Sequence, residues 1–262
     1  MIGLNIKSYV AQEKEILKEK IKKQRDSNLL ITPPVLNIVQ VGNVEASNRY
    51  VRNKVKDCEE VGIDAKVHHL PETITTYELA SFVDDLWGPT IVQLPLPEGV
   101  KAPKIKPWWD VDGFGPEAKH TPCTPGGIID YLDAAGFDYE GKLAVVIGRS
   151  EIVGKPMAKL LLDKNCTTAV VHSKTREDVK KLLLLEADLI VCAVGKAGFL
   201  DPQDCPRAFI VDVGINFDEN GKLVGDVEKC ASEAKRITPV PGGVGLLTRL
   251  KLMKNVIDHY KG

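Results

Sequence analysis

The sequence predicts an α/β fold in two domains, on three observations. Strand-like and helix-like segments alternate from one end of the chain to the other, the mark of parallel sheets covered by helices. A glycine-bearing turn, Gly148-x-Ser150-x-x-x-Gly154, lies inside a second alternating block. Between the blocks, Pro95 to Pro125 is irregular, proline-rich and aromatic. Loops of that length inside compact domains are usually functional.

Each element has its own signal. Tyr9 to Asp26 reads as an amphipathic helix with Val10, Ile16, Leu17 and Ile21 as its apolar stripe. Leu36 to Val41 is a buried strand. Ser47 is expected to cap the next helix, which runs to about Val61 and stops at Gly62. Lys66 to Leu70 is a second strand, Thr75 or Thr76 starts a helix through Leu86, and Thr90 to Gln93 is a third strand. In the second block Thr124 is expected to cap a helix through about Ala135. Leu143 to Ile147 is a strand, Val153 to Lys164 a helix, and Thr168 to His172 a strand. Arg176 to Glu186 is helical, then Leu189 to Ala193 and Phe209 to Val213 are strands. Gly242-Gly243 break the chain before a last helix, Leu246 to Tyr260.

Composition narrows the function. The 262 residues are 44% hydrophobic, enough for an ordinary soluble core. The formal net charge of -1 gives no basic field for nucleic acid. No apolar run approaches the ~18 residues of a membrane span, and Met1 to Gln24 lacks the apolar core of a signal peptide. Cys58, Cys123, Cys166, Cys192, Cys205 and Cys230 are scattered without a Cys-x-x-Cys pair. That suits reduced thiols in a cytoplasm rather than a disulfide framework or a zinc site. The histidines lack metal spacing, and His68-His69 reads as a solvent-facing polar pair closing a strand.

The turn at Gly148 resembles the Gly-x-Gly-x-x-Gly dinucleotide fingerprint, with one extra residue before the last glycine. Alone it is a weak signal, and a plain tight turn would also explain it. The strand before it and the helix after it raise its weight, because N–H groups at that helix start would face a diphosphate. An NAD site usually ends its second strand with an acid. Here the chain reads His172-Ser173-Lys174-Thr175-Arg176. Ser173 and the planar fork of Arg149 suit a 2′-phosphate instead, which favours NADP. Lys174 and Arg176 read as ordinary solvated charges.

In the first block, Tyr50 and Lys54 share one helix face. Lys54 stands among Arg49, Arg52 and Lys56; such a cluster either decorates solvent or perturbs the ionisation of one member. Gln93 closes a strand at its carboxyl end, where open α/β sheets bind ligands, and Pro95 and Pro97 stiffen the exit. Asp112-Gly113 is a turn signal, so Asp112 could be a plain turn former. Each group has a bland explanation; their joint placement at one sheet edge does not.

These residues belong to runs that resemble one family over nearly the whole chain. The runs are Ser47…Tyr50-Val51-x-x-Lys54, Val92-Gln93-Leu94-Pro95-Leu96-Pro97, Asp110-Val111-Asp112-Gly113-Phe114 and Pro122-Cys123-Thr124-Pro125. They continue through the Gly148 turn to Pro156, His172-Ser173-x-Thr175, Ala193-Val194-Gly195 and Asp212-Val213-Gly214-Ile215-Asn216. Gly225-Asp226-Val227 and Thr238 to Gly245 complete the set. The chain resembles the bifunctional methylenetetrahydrofolate dehydrogenase/methenyltetrahydrofolate cyclohydrolases.

The resemblance implies a fold, a reaction and roles. An N-terminal α/β substrate domain, residues 1–123 with 244–262 returning to it as the last helix, would bind folate. A Rossmann-type domain, 124–243, would bind NADP. Lys54 would be catalytic, Tyr50 would stack on the folate, Gln93 would orient Lys54 and Asp112 would pair with the pterin edge. Gly148, Arg149, Ser150, Ser173 and Ile215 would hold NADP, with Thr248 near it. No metal is implied, and the assembly would be a cytoplasmic homodimer joined through the cofactor domain, acting on tetrahydrofolate derivatives. Two other readings carry over: a folate- or nucleotide-binding protein without catalysis, and a shikimate-type two-domain dehydrogenase. The chain also departs from the family pattern. Trp109 replaces the usual Lys before Asp110, the segments from Phe114 to Pro122 and before Thr90 are short, and Leu246-Leu247 replace Pro-Met.

Overall fold

A computed structural model describes residues 4–27, 32–228 and 236–260. Its internal contacts divide the chain into two units. The first is Ala11–Cys123 with Arg249–Gly262; the second is Met1–Val10 with Thr124–Thr248.

The first unit is built on a parallel sheet of order β2-β1-β3, with β1 Val35–Val41, β2 Asp64–Leu70 and β3 Thr90–Val92. The central strand β1 is almost wholly buried and apolar apart from Asn37 and Gln40, whereas the edge strand β2 alternates. That is what a two-face-covered parallel strand and an edge strand require of their sequences. Helix α1, Ile6–Asp26, begins in the second unit and enters the first at Ala11. Helix α2, Glu45–Val61, ends at Gly62, which takes the left-handed conformation at φ 92°. Helix α3, Thr76–Asp85, starts with a complete capping box between Thr75 and Glu78. Val39, Val41, Val92, Leu79 and Val83 form an apolar cluster of this unit.

In the second unit the parallel order is β5-β4-β6-β7, from β4 Leu143–Ile147, β5 Thr167–Val171, β6 Leu189–Cys192 and β7 Phe209–Asp212. Helices α4 Cys123–Ala134, α5 Gly154–Asp163 and α6 Glu177–Glu186 alternate with these strands. A short antiparallel ribbon, β8 Asn216–Phe217 and β9 Leu223–Val224, follows β7. Val145, Ile147, Ile190, Cys192 and Ile210 are at most 2% exposed and form its core.

Both expected threonine and serine caps differ from the structure. Helix α2 starts two residues before Ser47, with Val44 at its N-cap and no side-chain cap. Ser47 lies inside the first turn, and its buried hydroxyl has no hydrogen-bond partner among the described residues. Thr124 likewise lies inside α4. Its hydroxyl is 3.0 Å from that of Thr248 and does not serve the helix start. The Thr248 hydroxyl donates to the Val244 carbonyl at 3.1 Å, so Thr124 is the donor of that pair.

The division of the chain also differs from the expected 1–123/244–262 and 124–243 split. The first ten residues join the second unit. Tyr9 meets Tyr131 with ring centroids 5.9 Å apart, and the Tyr131 hydroxyl donates to the Leu4 carbonyl at 2.9 Å. The last helix, α7 Val244–His259, changes unit between Thr248 and Arg249. A Cβ on Gly127 would lie 2.5 Å from the Leu247 carbonyl oxygen, so the backbones of α4 and the start of α7 are in contact.

Candidate functional site

Helix α2 carries Tyr50 and Lys54 one turn apart, both half-buried. The Lys54 amine donates to Gln93 Oε1 at 3.0 Å. Gln93 Nε2 donates to the Leu94 carbonyl at 2.6 Å, which fixes the side-chain amide with its oxygen toward lysine. The Gln93 backbone N–H continues the sheet by donating to the Val39 carbonyl at 2.8 Å. The chain leaves through a cis Leu94–Pro95 bond. Of the neighbouring cations, Arg52 pairs with Glu45 in solvent, and Arg49 and Lys56 are exposed.

Asp112 is 8% exposed. Burial pushes its carboxyl above the usual aspartate range, the Lys54 charge opposes that shift, and Asp110 adds to it. Lys54, Gln93 and Asp112 thus share one electrostatic neighbourhood. Asp112 is not the turn former that its Asp-Gly sequence allowed. Asp110 takes that job: Oδ1 accepts the Gly113 N–H at 2.9 Å and Oδ2 the Gly115 N–H at 2.7 Å. Gly113 is left-handed at φ 74°, and a Cβ there would lie 2.7 Å from the His120 carbonyl oxygen. The loop is held by two residues to which the sequence assigned no such role. Asn255 Nδ2 donates to the carbonyls of Val111 and Thr121, each at 2.9 Å. Cys123 donates its thiol to the Val111 carbonyl at 3.2 Å. Nothing in the sequence marks Asn255, which lies far along the chain on α7. The Tyr50 phenol is raised by burial, against the charges of Arg249 and Arg49.

The second unit gathers the other candidates at the carboxyl edge of its sheet. Gly148 follows β4 at φ 115°, and a Cβ on it would lie 2.3 Å from the Ala193 carbonyl oxygen. A Cβ on Gly154 would lie 2.5 Å from the Gly148 carbonyl oxygen. The Ser150 hydroxyl accepts the N–H groups of Val153 and Gly154, each at 3.3 Å, at the start of α5. Arg149 is exposed in this turn and makes no hydrogen bond or ion pair among the described residues. Ser173 is exposed after β5, where the His172 N–H donates to Thr175 Oγ1 at 3.0 Å. The first acids beyond that strand on the chain are Glu177 and Asp178, in the first turn of α6, and Asp178 is held by Arg176 at 2.7 Å. Ile215 follows β7 and is 49% exposed. Thr248, by contrast, sits on α7 and is bonded to Thr124. A close-approach glycine turn, an unpartnered exposed cation and no carboxylate ending β5 fit a dinucleotide carrying a 2′-phosphate. Among the described residues no group of three or more His, Cys, Asp or Glu could hold a metal ion.

Two family models match the chain. The tetrahydrofolate dehydrogenase/cyclohydrolase catalytic domain matches residues 4–112. The tetrahydrofolate dehydrogenase/cyclohydrolase NAD(P)-binding domain matches residues 122–262. The chain belongs to the tetrahydrofolate dehydrogenase/cyclohydrolase family. It is 42% identical over 269 residues to a Streptococcus pneumoniae bifunctional protein FolD, covering 95% of this chain and 93% of that one. The Campylobacter jejuni FolD methylenetetrahydrofolate dehydrogenase/cyclohydrolase crystal structure is similar at a TM-score of 0.89 and 38% identity. That match covers 98% of this chain and 97% of the other. The Trypanosoma brucei FolD structure, complexed with NADP cofactor and inhibitor, is similar at a TM-score of 0.88 and 30% identity, covering 98% and 96%. Membership of this family sets aside the shikimate-type reading.

Proposed function

We propose that the protein oxidises 5,10-methylenetetrahydrofolate to 5,10-methenyltetrahydrofolate with NADP and hydrolyses the product to 10-formyltetrahydrofolate. The observation that carries the reading is the Lys54 amine held 3.0 Å from Gln93 Oε1 beside buried Asp112, in a chain of this family. The first unit carries the folate and the second the NADP. Gly148, Arg149, Ser150, Ser173 and Ile215 hold the cofactor, and Thr248 lies near it. When bound, NADP takes up the hydride that leaves the one-carbon bridge.

The residues act differently in the two steps. Oxidation leaves a cation delocalised over the two folate nitrogens, so the protein supplies position more than proton transfer. Tyr50 offers a ring face to the folate, and Asp112 offers two acceptor oxygens to pterin N–H groups. Hydrolysis forms a bond between a water oxygen and the bridge carbon, and a proton leaves that water. The Lys54 amine accepts the proton while Gln93 holds it in place. Cleavage of the bond from that carbon to N5 then takes a proton at N5 while the carbinol hydroxyl gives up its remaining proton, which leaves the formyl group on N10 and releases one proton overall. One group that gives and takes a proton suffices for these transfers.

The assembly we propose is a homodimer in the cytoplasm, joined through the second unit. The edge strand β5 and the helices beside it expose Leu162, Val170, Leu182 and Leu185, apolar surface of the kind that subunits cover. No described helix is long and apolar enough to cross a membrane. The direct test mixes protein, methylenetetrahydrofolate and NADP and follows two signals, reduced cofactor and the methenyl absorbance. Reduced cofactor appearing without lasting methenyl product is expected; no reduced cofactor would overturn the reading.

A further inference from the structure

Two buried aspartates organise the carboxyl edge of the second unit's sheet, and the reaction as described gives them no work. Asp212 ends β7 and Asp226 follows β9; they are 4% and 0% exposed. Asp212 Oδ1 accepts the N–H groups of Gly214 and Asp226, each at 2.9 Å, and its Oδ2 accepts that of Val227 at 3.1 Å. The Asp212 N–H itself donates to Thr238 Oγ1 at 2.9 Å. With its backbone fixed in this way, the Asp226 carboxylate reaches two loops. Its Oδ2 accepts the N–H groups of Val194 at 2.6 Å and Gly195 at 2.9 Å. Its Oδ1 accepts the Lys196 N–H and Asn216 Nδ2, both at 2.9 Å. The glycines between are required by the same closeness. A Cβ on Gly225 would lie 1.8 Å from Asp212 Oδ2, and one on Gly214 would lie 2.4 Å from Asp226 Oδ1.

The loops so held leave the sheet after β6 and β7. In the order β5-β4-β6-β7 they lie to one side of the Gly148 turn, and Ser173 lies to the other. A dinucleotide whose diphosphate meets the turn after β4 places its adenosine toward β5. The edge at β6 and β7 is then left for the nicotinamide nucleoside. The Ala193 carbonyl, one residue before the held loop, is the group that excludes any side chain at Gly148.

We propose that Asp226 is a positioning residue for the cofactor. Its carboxylate holds Val194 to Lys196 and Asn216 in the shape that receives the nicotinamide nucleoside, and binding of the adenosine half does not depend on it. The inference rests on the NADP reading above. Asp226→Asn is the sharpest variant, because each carboxylate oxygen accepts two donors. Whichever way the amide turns, its NH2 faces two N–H groups.

Calorimetry on the full chain with two probes, NADP and adenosine 2′,5′-bisphosphate, tests this. Asp226→Asn should weaken NADP about 10-fold or more, while the bisphosphate stays within about twofold. In turnover, KM for NADP should rise and KM for the folate should hold. Equal losses for both probes, or no loss for NADP, would overturn the proposal. If the parent protein bound neither probe, the NADP reading would fall first and the inference with it. Should Asp226→Asn not fold, Asn216→Ala removes one of the four donors and is judged by the same ratio, with a loss of about 3-fold for NADP alone. An unchanged ratio in Asn216→Ala would then decide against the proposal.

Discussion

Lys54 stands among Arg49, Arg52 and Lys56, yet among the described residues it is the member of that group bonded to the sheet edge, through Gln93. Proton transfer is needed in hydrolysis and not in oxidation. Lys54→Met keeps the length and the apolar stem and removes the amine. It should cut the cyclohydrolase on the order of 10²–10⁴-fold, the usual worth of a general acid–base group. Part of the dehydrogenase should survive, so the methenyl product accumulates in a spectrophotometric assay. An unchanged ratio of the two rates would remove Lys54 from the proton-transfer role. Asp112 is the second residue with a separable effect. Asp112→Ala should raise the folate Michaelis constant by roughly 10- to 100-fold, the cost of a lost hydrogen bond to a charged group, and leave NADP affinity intact. Protonation removes acceptor capacity, and burial raises the pKa of this carboxyl. Folate-analogue affinity in the parent should therefore fall with acid from above the ordinary aspartate range. Titration calorimetry across acidic pH checks the sign: affinity flat through that range would contradict the role.

At the scale of elements, we assign cofactor choice to the turn between β4 and α5. Arg149 is its exposed cation, and no acid ends β5. Arg149→Ala should weaken NADP by about 10- to 100-fold and change NAD little, measured as KM for each cofactor. Equal use of NADP and NAD by the parent would sink the assignment. How much of this was legible in the sequence follows from how local each signal is. The strands β1, β3, β4, β6 and β7 are short apolar runs with β-branched residues, and each was found within two residues of its observed ends. The sequence leaves the start at Thr75 or Thr76, and the structure makes Thr75 the cap, with Glu78 completing a capping box. Ser47 and Thr124 carried the same composition without that reciprocal partner, and neither caps a helix. Lys54 and Gln93 were readable through their motifs, and the hydrogen bond between them required the fold. Asn255 was not readable at all. Its contacts to Val111 and Thr121 join positions far apart in the chain, and an asparagine inside a helix has no local signature of such work. The join between units at Val10 and at Thr248 was equally hidden, since it runs through two continuous helices.

Across the whole molecule, five of the six cysteines lie in described regions, all buried, and Cys230 lies outside them. Burial pushes the Cys58 thiol up to about 12 and the Cys205 thiol to about 11. Cys123, Cys166 and Cys192 are also raised, chiefly by burial. An unfolded thiol titrates near ~8.5. Below that pH both states hold these protons, and the stability they confer is intact. Between about 8.5 and the folded values the unfolded chain releases protons that the folded chain keeps. Stability must then fall as pH rises, by roughly 1.4 kcal/mol per pH unit for each thiol. The raised phenols of Tyr50, Tyr131, Tyr139 and Tyr260 act in the same direction above ~10. The protein should therefore lose several kcal/mol between about pH 8 and pH 10. Urea unfolding under reducing, oxygen-free conditions at stepped pH measures this directly. Cys192→Val suits a buried β6 position and removes one titrating group, so its alkaline slope should be shallower by up to one proton's worth. A parent whose unfolding free energy stayed level from pH 8 to pH 10 would show that the buried thiols ionise as freely in the fold as outside it.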